Sequence, residues 1–259
     1  MAYEFITYEK QERIAWITIN RPEVMNALHP PANLELSDAF DDFAADAEAW
    51  VAVLTGAGER AFSAGNDLKY SAQHGMGAVK LGPGGFGGIT ARFDLFKPVI
   101  AAVNGLALGG GFEMALACDI IVAAEHARFG LPEPRVGLAA LAGGMQRLPQ
   151  QIPPKIAMGL MLTGKQLSAA DAQRLGLVNE VVPAPELRAA ARRWADEILQ
   201  CSPTSVRATK QVALQSQGVP LVESTRQSYP LVATLFSSED VMEGVMAFAQ
   251  KRPPQWKGK

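Results

Sequence analysis

The chain has 259 residues, 48% of them hydrophobic and 19% charged, which is enough apolar material for one large core or at most two small ones. A net charge of −2 and a pI near 6.0 give no field that would gather nucleic acid or an anionic membrane, and no Lys/Arg run creates a local one. No apolar stretch is long enough to span a bilayer, and MAYEFITYEKQERIAWITIN lacks the basic-then-apolar order of a secretory signal, so a cytoplasmic location is expected.

In chain order, Tyr3 to Glu9 and Arg13 to Asn20 are rich in Ile, Tyr, Thr and Trp and flank a polar turn, which predicts a β-hairpin ended by Arg21-Pro22. From Ala32 to about Trp50, Leu34, Leu36, Phe40, Phe43 and Ala47 recur at three- and four-residue steps, which predicts an amphipathic helix. Val51 to Thr55 reads as a buried strand, followed by a loop with Gly56, Gly58 and Gly65 and a short helix from Asp67. The glycine-rich LGPGGFGG and a helix from Ile89 to Phe96 lead to a strand at Val99 to Val103, a helix at Phe112 to Ala117, a strand at Ile120 to Ala123 and an extended piece at His126 to Gly130. Strand, helix, strand implies crossovers, so the first half is α/β.

Beyond Gly143 the pattern turns helical, with start signals at Ser168, Ser202 and Ser237-Ser238; only Val178 to Val182 looks extended. In the last helix Val241, Met242, Val245, Met246, Phe248 and Ala249 make an apolar stripe wide enough to cover the protein's own site or a second subunit. Pro253-Pro254 then predicts a loose tail. Residues 1–195 read as the core and 196–259 as a helical region of the same unit.

Two segments, VAVLTGAGERAFSAGNDLKY and PVIAAVNGLALGGGFEMALACD, each run from a strand through glycine-rich backbone into a helix start. Such junctions expose unpaired N–H donors, which the helix dipole reinforces, and together two of them could grip one oxygen. Glu113 falls in the first turn after Gly111, and Glu133 is held between Pro132 and Pro134, which restrict its backbone. Either carboxylate read alone is equally an ordinary surface acid.

GLMLTGKQ misses the hydroxyl of a phosphate-binding loop and follows a helical run. AFSAG around Ser63 lacks the first glycine of a nucleophile elbow, and Gly105, Gly109, Gly110 and Gly111 do not make a dinucleotide fingerprint. Cys118 and Cys201 read as reduced core thiols, and His29, His74 and His126 show no zinc-ligand spacing, so no metal is expected.

AFSAGNDLK, KPVIAAVNGLALGGGFEMALACD, FGLPEPRVG, GGMQRLP and LTGKQLSAADAQRLGLVNEVVP, in this order, resemble the enoyl-CoA hydratase/isomerase (crotonase) superfamily over essentially the whole chain. The resemblance implies a spiral of ββα units with C-terminal helices that assemble trimers, often paired into hexamers. It also implies an oxyanion hole from the N–H groups of Asn66 and Gly110, and catalysis by Glu113 and Glu133. Coenzyme A would follow Val24, Met25, Ala27 and the stretch Ser63, Ala64, Gly65, Asp67 and Leu68, with Gly109 and Leu141 near the acyl group and Phe248 and Lys251 of the last helix contributing. No separate cofactor is implied, coenzyme A being part of the substrate, and the reaction would add water across the 2,3-double bond of an acyl-CoA.

LGPGGFGGIT and AFAQKRPPQWKGK look most like the carnitinyl-CoA dehydratase (crotonobetainyl-CoA hydratase) branch. Isomerase, hydrolase, lyase and non-catalytic acyl-CoA binding remain alternatives. For a quaternary ammonium acyl group, Phe86, Phe93, Phe112 and Phe129 are candidate walls against core packing. One departure stands out: hydratases carry Pro-Gly shortly before the Gly-Gly that is here Gly143-Gly144, and that glycine's N–H helps hold the water. Here the pair is Ala140-Leu141.

Overall fold

The structure, a computed structural model, describes residues 3–75 and 81–259. A six-stranded sheet runs in the order β1 (Ile6–Gln11), β2 (Ile14–Ile19), β3 (Val51–Gly56), β5 (Val99–Val103), β7 (Ile120–Ala124), β10 (Glu180–Val182), and a four-stranded sheet in the order β4 (Ala61–Ser63), β6 (Leu106–Leu108), β8 (Arg128–Gly130), β9 (Gln166–Ser168). The hairpin is β1 (Ile6–Gln11) and β2 (Ile14–Ile19), paired antiparallel from Ile6 with Ile19 to Gln11 with Ile14. The next three strands of the large sheet, β3 (Val51–Gly56), β5 (Val99–Val103) and β7 (Ile120–Ala124), add on in parallel.

Each of these is followed within a few residues by a three-residue strand of the small sheet: β4 (Ala61–Ser63), β6 (Leu106–Leu108) and β8 (Arg128–Gly130). Those three also lie side by side in parallel. Helix α2 (Leu68–His74) follows β4, and α3 (Gly110–Ala117) follows β6. The chain is therefore a spiral whose turns are long strand, short strand, helix.

Strand periodicity explains how the large sheet is covered on both faces. Ala15, Ile17, Ala52, Leu54, Ala101 and Val103 pack into one apolar cluster, while Ile14, Trp16, Val51, Val53, Ile100 and Ala102 pack into another. The first cluster is closed by α1 (Pro30–Ala45), which starts at a Pro in its first turn and buries Leu36, Ala39, Phe40 and Phe43 at helical spacing. The second is closed by α7 (Leu187–Leu199) through Leu187, Ala190, Ala191 and Ala195. Each large side chain so buried contributes roughly 1.5–3 kcal/mol.

Ser168, Ser202 and Ser238 all cap helices, as expected: each hydroxyl accepts from the backbone N–H three residues on, at 3.1, 3.3 and 3.3 Å. They open α6 (Ala169–Arg174), α8 (Pro203–Gln215) and α11 (Glu239–Gln250). Between these lie α9 (Leu221–Ser224) and α10 (Pro230–Leu235), and ahead of them α4 (Gly144–Gln151) and α5 (Pro154–Thr163).

Several expectations are corrected. The stretch from Ile89 to Phe96 is turn, not helix; glycines at 85, 87 and 88 hold positive φ and fold LGPGGFGG into a tight wedge against α1 and Met114. Helix α1 ends at Ala45 instead of running on to Trp50. Besides β10 (Glu180–Val182), the second half contains β9 (Gln166–Ser168), antiparallel to β8. Cys118 is half-buried, but Cys201 is exposed and is not a core residue.

The tail is also not loose. Trp256 Nε1 donates to Gln200 O (2.8 Å), Glu239 N donates to Lys259 O (2.9 Å), and the buried Asp240 carboxylate accepts from the N–H groups of Lys257 and Gly258. Pro253-Pro254 ends the helix as expected, but Trp256 to Lys259 are anchored back onto the helical region.

Candidate active site

The parallel arrangement of β4, β6 and β8 brings three equivalent points of the spiral together. Asn66 lies three residues past β4, Gly110 two past β6, and Glu133 three past β8. A cavity of about 1980 Å³ opens over these strand ends, lined among others by Ala64, Asn66, Leu68, Gly109, Gly110, Glu113, Glu133 and Leu141.

Gly109 has φ 54° and ψ −128°, and its own N–H is spent on Gly130 O (2.9 Å), while its carbonyl accepts the Glu113 N–H (3.0 Å). That turn leaves the Gly110 N–H at the head of α3 with no acceptor among the described residues. On the facing loop, Leu28 N donates to Gly65 O (2.7 Å) and Asp67 N donates to Leu28 O (3.0 Å). Because successive groups of an extended chain point opposite ways, the Asn66 N–H between them faces away from Leu28 and has no acceptor among the described residues.

The loops touch: a Cβ placed on Gly65 would lie 2.9 Å from Gly110 N and 2.7 Å from Leu108 O. Two preset donors facing one cavity suit an oxygen that gains negative charge. Over Gly110 lies the ring of Phe86, within 2.4 Å of where a side chain at 110 would begin.

Glu113 is 3% exposed, and its Oε1 accepts the Gly144 N–H at 2.8 Å. Burial pushes its carboxyl up to about 7; the Gly144 N–H works against that rise and the neighbouring Glu133 adds to it. Glu133 is likewise pushed above the usual carboxylate range by burial. Its Oε1 lies 3.0 Å from where a Cβ on Gly109 would stand, and its Oε2 is buried without a hydrogen-bond partner. Two carboxyls raised above their ordinary range beside a pair of free donors can move protons to and from a bound molecule.

The other residues singled out in sequence divide. Val24, Met25, Ala27, Ser63, Gly65 and Asp67 do not line the cavity but back its wall. There Ala64 N donates to Met25 O (3.0 Å) and Ser63 Oγ to Asn26 O (2.8 Å). The Ser63 hydroxyl also accepts from Gly65 N, so it is engaged in the loop. Leu141 lines the mouth with its side chain turned out, 82% exposed. Phe248 is 87% exposed and Lys251 ends α11 in the left-handed region; neither lines the cavity of this chain. Of the four candidate aromatic walls, Phe86 and Phe93 line the cavity, whereas Phe112 and Phe129 are fully buried in the core.

Sequence reasoning assigns no role to Arg147, which also lines the cavity. Burial lowers its ordinary affinity for a proton, its guanidinium donates to Thr90 O (2.8 Å) and Ala142 O (3.3 Å), and it lies 5.5 Å from the Phe93 ring centre. GGMQRLP contains it, but nothing in spacing shows that this arginine turns inward. Among the described residues no three His, Cys, Asp or Glu side chains cluster as metal ligands, and no helix is long and apolar enough to cross a membrane.

The fold and site define a spiral ββα protein with two unpaired backbone N–H donors and a pair of carboxyls on one cavity. Residues 9–259 match the family model described as enoyl-CoA hydratase/isomerase, and the chain belongs to that family. It is 44% identical over 249 residues to a protein named carnitinyl-CoA dehydratase from Salmonella arizonae, covering 93% of this chain and 94% of that one. A protein of the same name from Salmonella typhi is 44% identical over 250 residues, covering 94% of each chain. Among solved structures, an enoyl-CoA hydratase from Mycobacterium tuberculosis H37Rv superposes with a TM-score of 0.92 at 42% identity, over 98% of this chain and 99% of that one. One from Mycobacterium marinum gives 0.92 at 44% identity with the same coverage.

Proposed function

We propose that this protein adds water reversibly across the 2,3-double bond of an enoyl-CoA thioester, with the crotonobetainyl-CoA/carnitinyl-CoA pair as the first substrates to try. The observation that supports this best is the convergence of two free backbone donors, on Asn66 and Gly110, with two buried carboxyls on one cavity. In this reading the thioester oxygen sits between the donors, which stabilise the enolate more than the ground-state carbonyl. The Glu113 carboxylate takes a proton from water as its oxygen bonds to Cβ, and the Glu133 carboxyl gives its proton to Cα. Proton exchange between the two acids then resets the pair, and dehydration runs the steps backward.

Coenzyme A would enter past Leu68 and the turn at residues 22–27. Phe248 and Lys251, which lie off the cavity in a single chain, would contribute across a subunit contact. The exposed Met242, Val245, Met246 and Phe248 on α11 suit burial in a homotrimer or a pair of trimers. The test compares crotonyl-CoA with crotonobetainyl-CoA by loss of conjugated-thioester absorbance. Wild-type protein should turn over at least one without added cofactor. Glu113→Gln and Glu133→Gln, still folded, should each lose about 10²-fold or more in kcat. Full activity in both variants, or binding without turnover by the wild type, would overturn the proposal.

A further inference from the structure

One ion pair lies directly behind the oxyanion loop. Arg21 donates from Nη1 to the carbonyl of Ala27, and from Nη1 and Nη2 to Asp67 Oδ2, each at 3.2 Å. Both side chains are nearly enclosed, 12% and 11% exposed. The other carboxylate oxygen of Asp67 accepts the Tyr70 N–H at 3.1 Å and caps α2. The family resemblance puts Asp67 among the coenzyme A contacts, but its carboxylate is committed to the protein.

The pair joins two segments that meet at Asn66. On one side is the turn after β2, where Met25 and Asn26 hold positive φ and the Asn26 side chain accepts from Arg21 N and donates to Ala57 O and Ala61 O. On the other side is the loop 64–67, tied to that turn by the bridge between Leu28 and Asn66. The Asn66 N–H points into the cavity only while Gly65 and Asp67 stay bonded to Leu28. Arg21 holds Asp67 and Ala27, the residues flanking that bridge, with one rigid fork.

The seam is dry. His29 lies against the edges of the Phe5 and Tyr70 rings, with centroids 4.4 and 5.6 Å away, and its Nδ1 is buried without a partner. Burial, and then Arg21, lower its affinity for a proton against the opposing pull of Asp67, which disfavours a second cation beside the ion pair. Shielded from water, the ion pair keeps more of its strength than an exposed one.

We propose that Arg21, acting through Asp67, is a positioning residue that fixes the Asn66 N–H in the oxyanion hole, and so sets the gap between the two donors. The proposal rests on the hydratase reading for its kinetic consequence, but not for its geometry. Small displacements of a donor are costly because stabilisation of developing charge depends on preset distance.

The experiment makes Arg21→Met, Arg21→Lys, Asp67→Asn and the double variant Arg21→Met/Asp67→Asn in the full chain. It reads kcat and KM on the enoyl-CoA that the wild type turns over best. It also reads the near-ultraviolet enolate band of acetoacetyl-CoA on binding, which reports donor geometry without any hydration step. Arg21→Met and Asp67→Asn should each lower kcat by about 10- to 100-fold, short of the roughly 10²- to 10³-fold cost of losing a donor outright, with KM changed by less than about threefold. The enolate band should weaken in parallel. Arg21→Lys should recover part of both, since an ammonium can pair with Asp67 but not also fork to Ala27. The double variant should be no worse than the poorer single one, because the two act as a unit.

A kcat and an enolate band within about twofold of wild type in folded Arg21→Met or Asp67→Asn would overturn the proposal, whatever their melting temperatures. Should Arg21→Met fail to fold, Asp67→Asn, which keeps the α2 cap acceptor, decides the matter. A wild type that hydrates no enoyl-CoA yet shows an enolate band that falls in these variants would sink the hydratase reading and leave the positioning role standing.

Discussion

The spiral core and the C-terminal helices each leave something uncompensated, and they leave opposite things. Around the cavity it is polar: the N–H groups of Asn66 and Gly110 and Oε2 of Glu133 have no partner within the described residues. On the helices it is apolar: Leu221, Val222, Phe236, Met242, Val245 and Phe248 stand exposed. Unpaired polar groups in a shielded cavity are costly unless a ligand supplies the missing bonds, so the first region is built for a small polar group. A wide apolar surface is relieved only by apolar contact, which the second region does not make among the described residues. Within the helical region the polar groups are, by contrast, well satisfied: Asp240, 1% exposed, accepts from Ser202, Thr204, Lys257 N and Gly258 N.

The sharpest way to break the first half of that contrast is Gly65→Ala. Gly65 has φ +87°, and its new methyl would stand 2.9 Å from Gly110 N, where the substrate oxygen needs access. We expect kcat on an enoyl-CoA to fall about 10³-fold, as when an oxyanion donor is removed. The fold should survive with a stability loss of about 2–5 kcal/mol, from the strained backbone and from the shift that a methyl 2.7 Å from Leu108 O forces on the loops. Steady-state kinetics beside a denaturant titration separate the two effects. A variant that retains more than a tenth of wild-type kcat would mean that the gap between the loops is not the site of charge development.

The second half is tested by Asp240→Ala. Truncation leaves two hydroxyls and two tail N–H groups without their shared acceptor, a loss of about 3 kcal/mol of stability, while activity per folded molecule holds because Asp240 is outside the cavity. The tail should become susceptible to protease after Pro254, and Trp256 fluorescence should shift toward that of exposed indole. If activity fell in step with tail release, the helical region would be part of the site.

How much of the molecule is legible in the sequence depends on the range of each interaction. The hairpin, the apolar strands β3, β5 and β7, and the serine caps at 168, 202 and 238 are set by residues within a few positions of one another, and the sequence shows them. Most of the small sheet escapes it: β8 falls within the extended piece at His126 to Gly130, but β4, β6 and β9 are three residues each, too short for a period to register, and owe their extended form to their neighbours. Helical spacing suggests a helix over Ile89 to Phe96, but the glycine wedge before it, folded against α1, turns that stretch instead. The glycine-rich loops declare themselves by their place before helix starts, and Glu113 by its place in the first turn. Glu133 gains its meaning only from the family resemblance, and the inward turn of Arg147 and the fork of Arg21 onto Asp67 depend on contacts 46 or more residues away.

The smallest expected effect separates cost from use within the cavity. Burial raises the Glu113 carboxyl from 4.5 to about 7, so between those values the folded protein holds a proton that the unfolded chain has released. That group's contribution to stability is thus fully present below pH 4.5 and is lost as pH rises through 7. Glu113→Gln keeps an oxygen to accept the Gly144 N–H and carries no charge at any pH. The variant should therefore be more stable than wild type by roughly 3 kcal/mol at pH 8, with the advantage shrinking to nothing near pH 4.5. Wild-type kcat should rise as the Glu113 base ionises and fall again as the Glu133 acid loses its proton, a bell-shaped profile, while the variant stays inactive throughout. Paired urea titrations at pH 5 and pH 8 measure the difference. A variant destabilised equally at both would show that the carboxyl is held for packing, whereas a gain confined to high pH would show that the fold tolerates a costly buried charge where the reaction uses it.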